Sequence, residues 1–520
     1  MQTVMFGKLK YLLLACVFTA CGSNPVEEVT GGTVAVLQNP VLPGFHPDPS
    51  VVAVGGDYYL VNSTFHYFPG VPVYHSTDLQ NWEQLGNVLD RPSQLPLKDA
   101  TSWLGIYAPT IRYNDGTFYM ITTNVGNGGN FMVSATNPAG PWSEPMWLEQ
   151  QGIDPSLYFE DGTCYMVSNP DGVITLCEID PATGATLSPS KALWTGTGGR
   201  FPEGPHIYKR GGWYYLLISE GGTELAHRLT IARSKNIYGP YEANPANPIF
   251  THCSFAAQES NIQGTGHGDF FQAADGSWWI TFLAYRRYGG DFHHLGRETF
   301  IAPVSWNADG WPVINDGKPV AERMEVRFPS QPAPVADASR YYDFKEPLGP
   351  EWIHIQETVP ENYSLEGGVL TLRGTGKGLG WGSERPTALL RRQQAADCLF
   401  GTEVSLDGAA EAGLAVYQIF NGYATFTVRK SAAGCQAIVK YQIRGLDKTE
   451  AVVPLSVPKA KLEVKAWGDH YEFLLNGKEI TRLETSLLST EVVGGFTGVT
   501  IGPMAIEGTA KFSYFNYKEN

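Results

Sequence analysis

The sequence predicts an all-β protein of two domains, an N-terminal five-bladed β-propeller followed by a C-terminal β-sandwich. Three observations lead there. The chain has 520 residues, and a single hydrophobic core stops growing near roughly 250 to 300 residues, so two cores are expected. Its 58 glycines, 35 prolines and 12% aromatic content suit short strands and tight turns better than helix bundles. One motif also recurs five times: a short polar or Pro-containing opening, an apolar strand, a Gly/Asp/Asn turn, then an aromatic-rich strand.

In chain order, residues 1–20 read as a signal peptide. Lys8 and Lys10 precede an apolar run from Tyr11 to Ala20 that is too short to span a bilayer, and small residues follow it. Phe18-Thr19-Ala20-Cys21 resembles a bacterial lipobox, with Leu13-Leu14-Ala15-Cys16 a weaker second candidate. Cys21 is therefore the expected lipidation site. The mature protein is expected to be exported and lipid-anchored in the cell envelope, on the periplasmic side or at the cell surface. Beyond Cys21 the cysteines are odd in number and not closely spaced, so neither a disulfide framework nor a metal cluster follows.

Residues 33–325 form the expected propeller. Its units open at Asp48-Pro49-Ser50, Ala108-Pro109-Thr110, Asp154-Pro155-Ser156, Glu203-Gly204-Pro205 and Gly266-His267-Gly268-Asp269. Each opening leads into a strand, a turn such as Asp115-Gly116 or Gly211-Gly212, and a second strand, which is hairpin chemistry. A recurrence of 46 to 63 residues suits a four-stranded blade with variable loops. The first strand of each blade lines the central channel, so openings remote in sequence meet around one axis. Three openings begin with a carboxylate, and Asp48, Asp154 and Glu203 are expected at one register in one cavity. Residues 326–340 hold the semi-rigid Pro-rich stretch Arg327 to Pro334, read as a linker. From 341 to 520 strands such as Leu462 to Ala466, Tyr471 to Leu475 before Asn476-Gly477, and Lys511 to Phe515 alternate with period two, as a sandwich requires.

A net charge of −15 without any Lys/Arg cluster argues against nucleic acid as a partner. Convergent carboxylates instead suit hydrolysis of a glycosidic bond. One acid protonates the leaving oxygen, a carboxylate on the opposite face activates water or attacks, and a third charge raises the pKa of the acid. Read singly, each opening is ordinary turn chemistry. Three in one narrow channel are harder to explain that way, because unpaired carboxylates there are costly to bury.

Together these motifs resemble glycoside hydrolase family 43, the β-D-xylosidases and α-L-arabinofuranosidases. The resemblance is carried by Asn39 to Ser50, Gly152-Ile153-Asp154-Pro155-Ser156, Pro202-Glu203-Gly204-Pro205-His206 and Gly296-Arg297-Glu298-Thr299-Phe300. In the C-terminal half, Glu361 to Leu365 and Arg391 to Gln394 resemble the concanavalin-like sandwich of that branch. The resemblance implies an inverting mechanism, with Asp48 as general base, Glu203 as general acid and Asp154 tuning and orienting Glu203. It implies that Arg297 contacts the sugar in the −1 subsite, within aromatic walls expected from Tyr107, Phe65 and Phe45. Tyr107 departs from the tryptophan usual before Ala-Pro-Thr in the family. No cofactor is required. His267 is implied as support for a structural calcium or a water cluster in the channel, although calcium prefers oxygen ligands.

The expected reaction is exo-release of a terminal non-reducing pentose from plant hemicellulose or its oligosaccharides. α-L-Arabinofuranose is favoured because Gly198 to Glu203 and Tyr107 look like an arabinose-releasing branch; β-D-xylosidase or dual activity stays open. The loop from Ser63 to Gly70 is expected either to close one end of the channel or to pack the blade. A non-catalytic glycan-binding propeller is disfavoured by three intact acids. A retaining, invertase-like enzyme is disfavoured because Phe45-His46-Pro47-Asp48-Pro49 lacks the Asn-Asp-Pro-Asn form. The sandwich is a carbohydrate-binding module or, preferably, a clamp on the active-site rim. Membrane association is expected only through the N-terminal lipid.

Overall fold

A computed structural model of the protein describes residues 32–97, 100–380 and 385–520. The expected leader and the lipidation at Cys21 lie outside the described residues.

Five antiparallel sheets of four principal strands each make up the propeller. Their innermost strands are Ser50–Val54, Thr110–Asn114, Ile153–Glu160, Glu203–Arg210 and Ile262–Gln272, each packed against the next and the fifth against the first. Each blade starts with the hairpin foreseen from its turn residues. Asp115-Gly116 and Asp161-Gly162 hold both central positions at φ between 47° and 81°, the conformation that a two-residue turn matching the twist of the strands requires. The stretches His75–Trp82, Asn137–Trp142 and Asn236–Tyr241 fall just before the outermost strands Glu83–Leu89, Met146–Trp147 and Glu242–Ala243. Apolar side chains between adjacent sheets form the cores, for example Val61, Val73, Ile111 and Met120 between the first two blades.

Closure differs from the expected boundary. Thr33–Gln38 pairs with Arg323–Phe328 in a separate two-stranded ribbon, and Phe328 is buried with Leu37 and Trp279. The propeller unit therefore runs to Phe328, and residues 326–328, expected in the linker, are strand. Their alternation of buried Val326 and Phe328 with exposed Arg327 is the period-two signal that the following prolines obscure.

Two long strands, Cys398–Ile419 and Thr500–Glu519, organise the C-terminal domain by pairing with each other along most of their length. The first half of Cys398–Ile419 also pairs with Lys459–Ala466 and the second half with Gly422–Ser431. Where the ladder bends, its register shifts between Asp407 and Glu411, opposite Gly508 at φ 69°. A side chain at Gly508 would meet the Ala409 carbonyl at 2.4 Å, so glycine is what lets the two backbones approach. The enclosed core contains Leu414, Phe426, Phe473, Phe512 and Phe515.

The two domains share an apolar interface. Phe45, Phe65 and Tyr67 of the propeller pack with Ile353, Leu390, Tyr417 and Met504 of the sandwich. Tyr67–Phe68 forms a strand pair with His354–Ile355, so the loop from Ser63 to Gly70 is buried against the second domain.

Candidate active site

The inner strands reach the channel through a shared irregularity. Ser50, Thr110, Ser156, His206 and Asp269 occupy equivalent ladder positions, opposite Val61, Ile121, Val167, Leu217 and Thr281. Two residues earlier stand Asp48, Ala108, Asp154, Gly204 and His267. Four of these five are left-handed, at φ 51°, 51°, 58° and 45° for Asp48, Asp154, Gly204 and His267. Register shifts follow Ile153, Glu203 and Gly266, and such bulges re-aim side chains. The expectation of three acids at one register needs correction here. Asp48 and Asp154 are equivalent, but Glu203 stands one residue earlier, because Gly204 takes the left-handed position in the fourth blade.

Both oxygens of the Asp48 carboxylate are held. Ser63 Oγ donates to Oδ2 at 2.6 Å, and Arg297 Nη1 donates to Oδ1 at 2.9 Å. His267 Nδ1 is 3.9 Å from Oδ1. The Asp154 carboxylate accepts the Gly204 backbone N–H at 3.1 Å, which ties it to the residue after Glu203. The Glu203 carboxyl lies 3.7 Å from Nε2 of the fully buried His227. His227 Nδ1 is 3.2 Å from the Gly264 carbonyl; donation there leaves Nε2 as an acceptor directed toward the acid.

The electrostatics divide these groups. Burial alone would raise the Asp48 carboxyl, but Arg297, His267 and the Ser63 hydroxyl outweigh it and hold the group below its ordinary value. Burial lifts Glu203 well above its ordinary value, and the charges of Asp154 and Asp48 add to the effect. Asp154 is raised as well, by burial and then, against the pull of His267, by Asp48. Glu203 thus feels Asp154 and Asp48, and Asp154 feels Asp48, although Asp48 and Glu203 are far apart in sequence. Near neutral pH one carboxyl is biased toward the anion and another toward the acid, the pairing that acid–base catalysis needs.

Around the acids, Arg297 is clasped by both domains. Its Nη1 also donates to Thr223 Oγ1 at 3.0 Å, and its Nη2 donates to the Phe496 carbonyl at 3.1 Å. The guanidinium lies 5.7 Å from the Phe65 ring centre and 5.6 Å from that of Phe496. Phe65 stacks on Phe496 at 5.6 Å and meets Tyr107 edge-on at 5.3 Å. Tyr107 is anchored by donating to the Trp103 carbonyl at 2.7 Å. Phe45 departs from its expected role. It is 0% exposed, behind Phe65 and Tyr67 and under the Arg392 guanidinium, so it buttresses Phe65 without offering a face to a sugar.

A polar network joins the inner strands of the first, second, fourth and fifth blades. Asp269 accepts from Arg112 Nη1 at 2.8 Å, Ser50 Oγ at 2.7 Å and Tyr208 Oη at 2.6 Å. Arg112 Nη2 also contacts His206 Nδ1 at 2.8 Å. Among the described residues no group of three or more His, Cys, Asp or Glu side chains could hold a metal ion; His267 acts on both Asp48 and Asp154, and Asp48 is already paired with Arg297. Calcium requires six to eight oxygen ligands.

Sequence reasoning missed Ser63, Thr223, His227 and Phe496. Ser63 lies in a loop whose aromatic content drew the reading elsewhere. Phe496 lies some 200 positions from Arg297, outside every repeat, and contributes partly through its main-chain carbonyl, which no residue type signals.

A five-bladed propeller with buried, oppositely biased carboxyl groups at its axis defines a glycoside hydrolase. Residues 37–312 match the family described as glycosyl hydrolases family 43, and residues 342–518 match the β-xylosidase C-terminal concanavalin A-like domain. The chain belongs to glycoside hydrolase family 43. It is 39% identical over 512 residues to the non-reducing end alpha-L-arabinofuranosidase BoGH43B of Bacteroides ovatus, covering 93% of this chain and 94% of that protein. It is 38% identical to a xylosidase/arabinosidase of Butyrivibrio fibrisolvens over 94% of this chain and all of that one. Among solved structures, xylan beta-1,4-xylosidase from Bacillus halodurans superposes with a TM-score of 0.85 at 34% identity, over 93% of this chain and 100% of the other.

Proposed function

We propose that the protein is an inverting, exo-acting α-L-arabinofuranosidase that removes terminal non-reducing arabinofuranose from plant hemicellulose or its oligosaccharides. The observation that carries this reading is the opposite protonation bias of Asp48 and Glu203 within one set of interacting acids. Asp48, ionised and fixed by Ser63 and Arg297, takes a proton from water as that water attacks the anomeric carbon. Glu203, kept protonated by burial and by its neighbours, gives its proton to the departing glycosidic oxygen. Asp154, bonded to the Gly204 N–H, supplies the charge that raises Glu203 and fixes the backbone that presents it. Water and the two carboxyl groups account for every proton moved, so the reaction needs no cofactor. Arg297, with Phe65, Tyr107 and Phe496, forms the wall of the −1 subsite, which makes the sandwich a clamp that completes the rim. The burial of the Ser63 to Gly70 loop against that domain supports a channel closed on one side, hence exo action.

The arabinofuranosidase assignment draws on the likeness to the Bacteroides ovatus enzyme; the xylosidase/arabinosidase relative supports a second reading in which β-D-xylosides are also cleaved. Kinetics on aryl α-L-arabinofuranoside and aryl β-D-xyloside, measured side by side, test the choice, and a higher kcat/KM on the xyloside overturns it. NMR of the first-formed anomer tests inversion, and a retained anomer refutes the Asp48 role. Export and lipid anchoring at Cys21 belong to the same proposal, since a polymer-degrading enzyme meets its substrate outside the cytoplasm; mass spectrometry of the mature N-terminus checks it.

A further inference from the structure

Immediately before Glu203 the chain from Gly196 to Pro202 is built with unusual care. The buried Glu220 carboxylate accepts Thr197 N–H at 2.9 Å, Thr197 Oγ1 at 2.7 Å and Gly199 N–H at 2.9 Å. The Arg200 carbonyl accepts Gly221 N–H at 2.7 Å. Arg200 Nη2 donates to the Gly221 carbonyl at 3.1 Å and pairs with Glu224 at 2.5 Å. All this holds Phe201 at φ 50° with 60% of its surface exposed. A bulky side chain in the left-handed region is strained, and such strain gathers at ligand sites. The Arg200 guanidinium lies 5.3 Å from the Phe201 ring centre. Gly222 makes room for both, since a Cβ there would stand 3.2 Å from Arg200 Nη2 and 3.3 Å from the Phe201 ring.

The same short loop links this rim to the acids. Thr223 receives the Arg297 hydrogen bond, and the charge of Glu224 reaches Glu203 and helps keep its proton in place. Phe201 is thus two residues from the acid and one loop away from Arg297. We propose that Phe201, Arg200 and Glu224 form the leaving-group subsite, which takes a neutral pyranose of the hemicellulose main chain. The ring of Phe201 offers an apolar face to the C–H face of the pyranose, while Arg200 and Glu224 supply a donor and an acceptor for its hydroxyls. This rests on the glycosidase reading above.

The test compares two substrates with the same terminal arabinofuranose, methyl α-L-arabinofuranoside and an arabinofuranosylated xylotriose. In Phe201→Ala the ratio of kcat/KM for the oligosaccharide to that for the methyl glycoside should fall about tenfold, the loss of one aromatic contact, and Phe201→Tyr should restore it. Arg200→Ala should lower the ratio as well, whereas Phe255→Ala, which removes a phenylalanine that is 93% exposed elsewhere, should leave it at the wild-type value. A Phe201→Ala ratio equal to that of wild type overturns the subsite while leaving the activity reading intact. A wild-type enzyme that cleaves neither glycoside overturns both.

Discussion

Replacing Asp269 by asparagine should destabilise the propeller by a predictable amount. Asp269 is 0% exposed and accepts from Arg112, Ser50, Tyr208 and the Val51 N–H, groups that belong to the first, second and fourth blades while it belongs to the fifth. The Arg112 guanidinium opposes the burial penalty and, with His206, holds the carboxyl at about 2, against an ordinary 3.8. That difference corresponds to about 2 kcal/mol favouring the anion in the folded protein. Asparagine keeps the shape but leaves Arg112 as a buried cation without its carboxylate counter-charge, and breaking a buried pair in this way costs about 3 to 5 kcal/mol. An expected loss of about 2 to 5 kcal/mol at pH 7 follows, to be measured by urea unfolding followed through tryptophan fluorescence. Because the folded value is depressed, this contribution is complete above the unfolded value of 3.8 and disappears as pH falls through about 2. The gap between wild type and variant should therefore close between about pH 4 and pH 2. A variant within about 1 kcal/mol of wild type at pH 7, or a gap unchanged at low pH, would refute the reasoning.

Other expectations concern the acids and the domain contact. Glu203→Gln should lower kcat by at least about 100-fold on substrates with poor leaving groups, with much less effect on an activated aryl glycoside, the signature of lost general-acid help. The same variant should gain stability relative to wild type at alkaline pH. The raised Glu203 value contributes stability that is complete below the ordinary glutamate range and lost as pH rises through the folded value, and the glutamine has no such charge to bury; equal pH–stability curves would contradict this. Asp154→Asn should move the alkaline limb of the kcat/KM profile to lower pH, since removing the neighbouring charge eases ionisation of Glu203; a limb that stays in place refutes that role. Phe496→Ala should raise KM for every substrate by about tenfold through lost packing on Phe65 and Arg297, and an unchanged KM rejects the clamp.

Much of this molecule was legible from sequence because a propeller repeats its hairpins locally. Asp115-Gly116 or Gly211-Gly212 announces a strand turn whatever surrounds it. The convergence of Asp48, Asp154 and Glu203 followed from repetition alone. What escaped were interactions without a local signature. The one-residue offset of Glu203 depends on Gly204 taking the left-handed position that aspartates hold in the first and third blades. Phe45 lies in the motif that carries Asp48, yet tertiary packing turned it into the domain interface. Asp269 was visible as part of a repeat opening, but its partnership with Arg112 crosses the channel between blades with no fixed sequence spacing.

The grip of the Phe496 carbonyl on Arg297 also gives the enzyme a timetable. A ribosome that has passed codon 203 has already made all three acids, and by codon 328 it has supplied the ribbon that shuts the ring. The arginine still lacks its acceptor in the second domain, and Phe65 lacks the ring that stacks on it. A nascent or truncated chain therefore carries all three acids while the carbonyl that holds Arg297 is still missing, and that partner arrives only with the last tenth of translation.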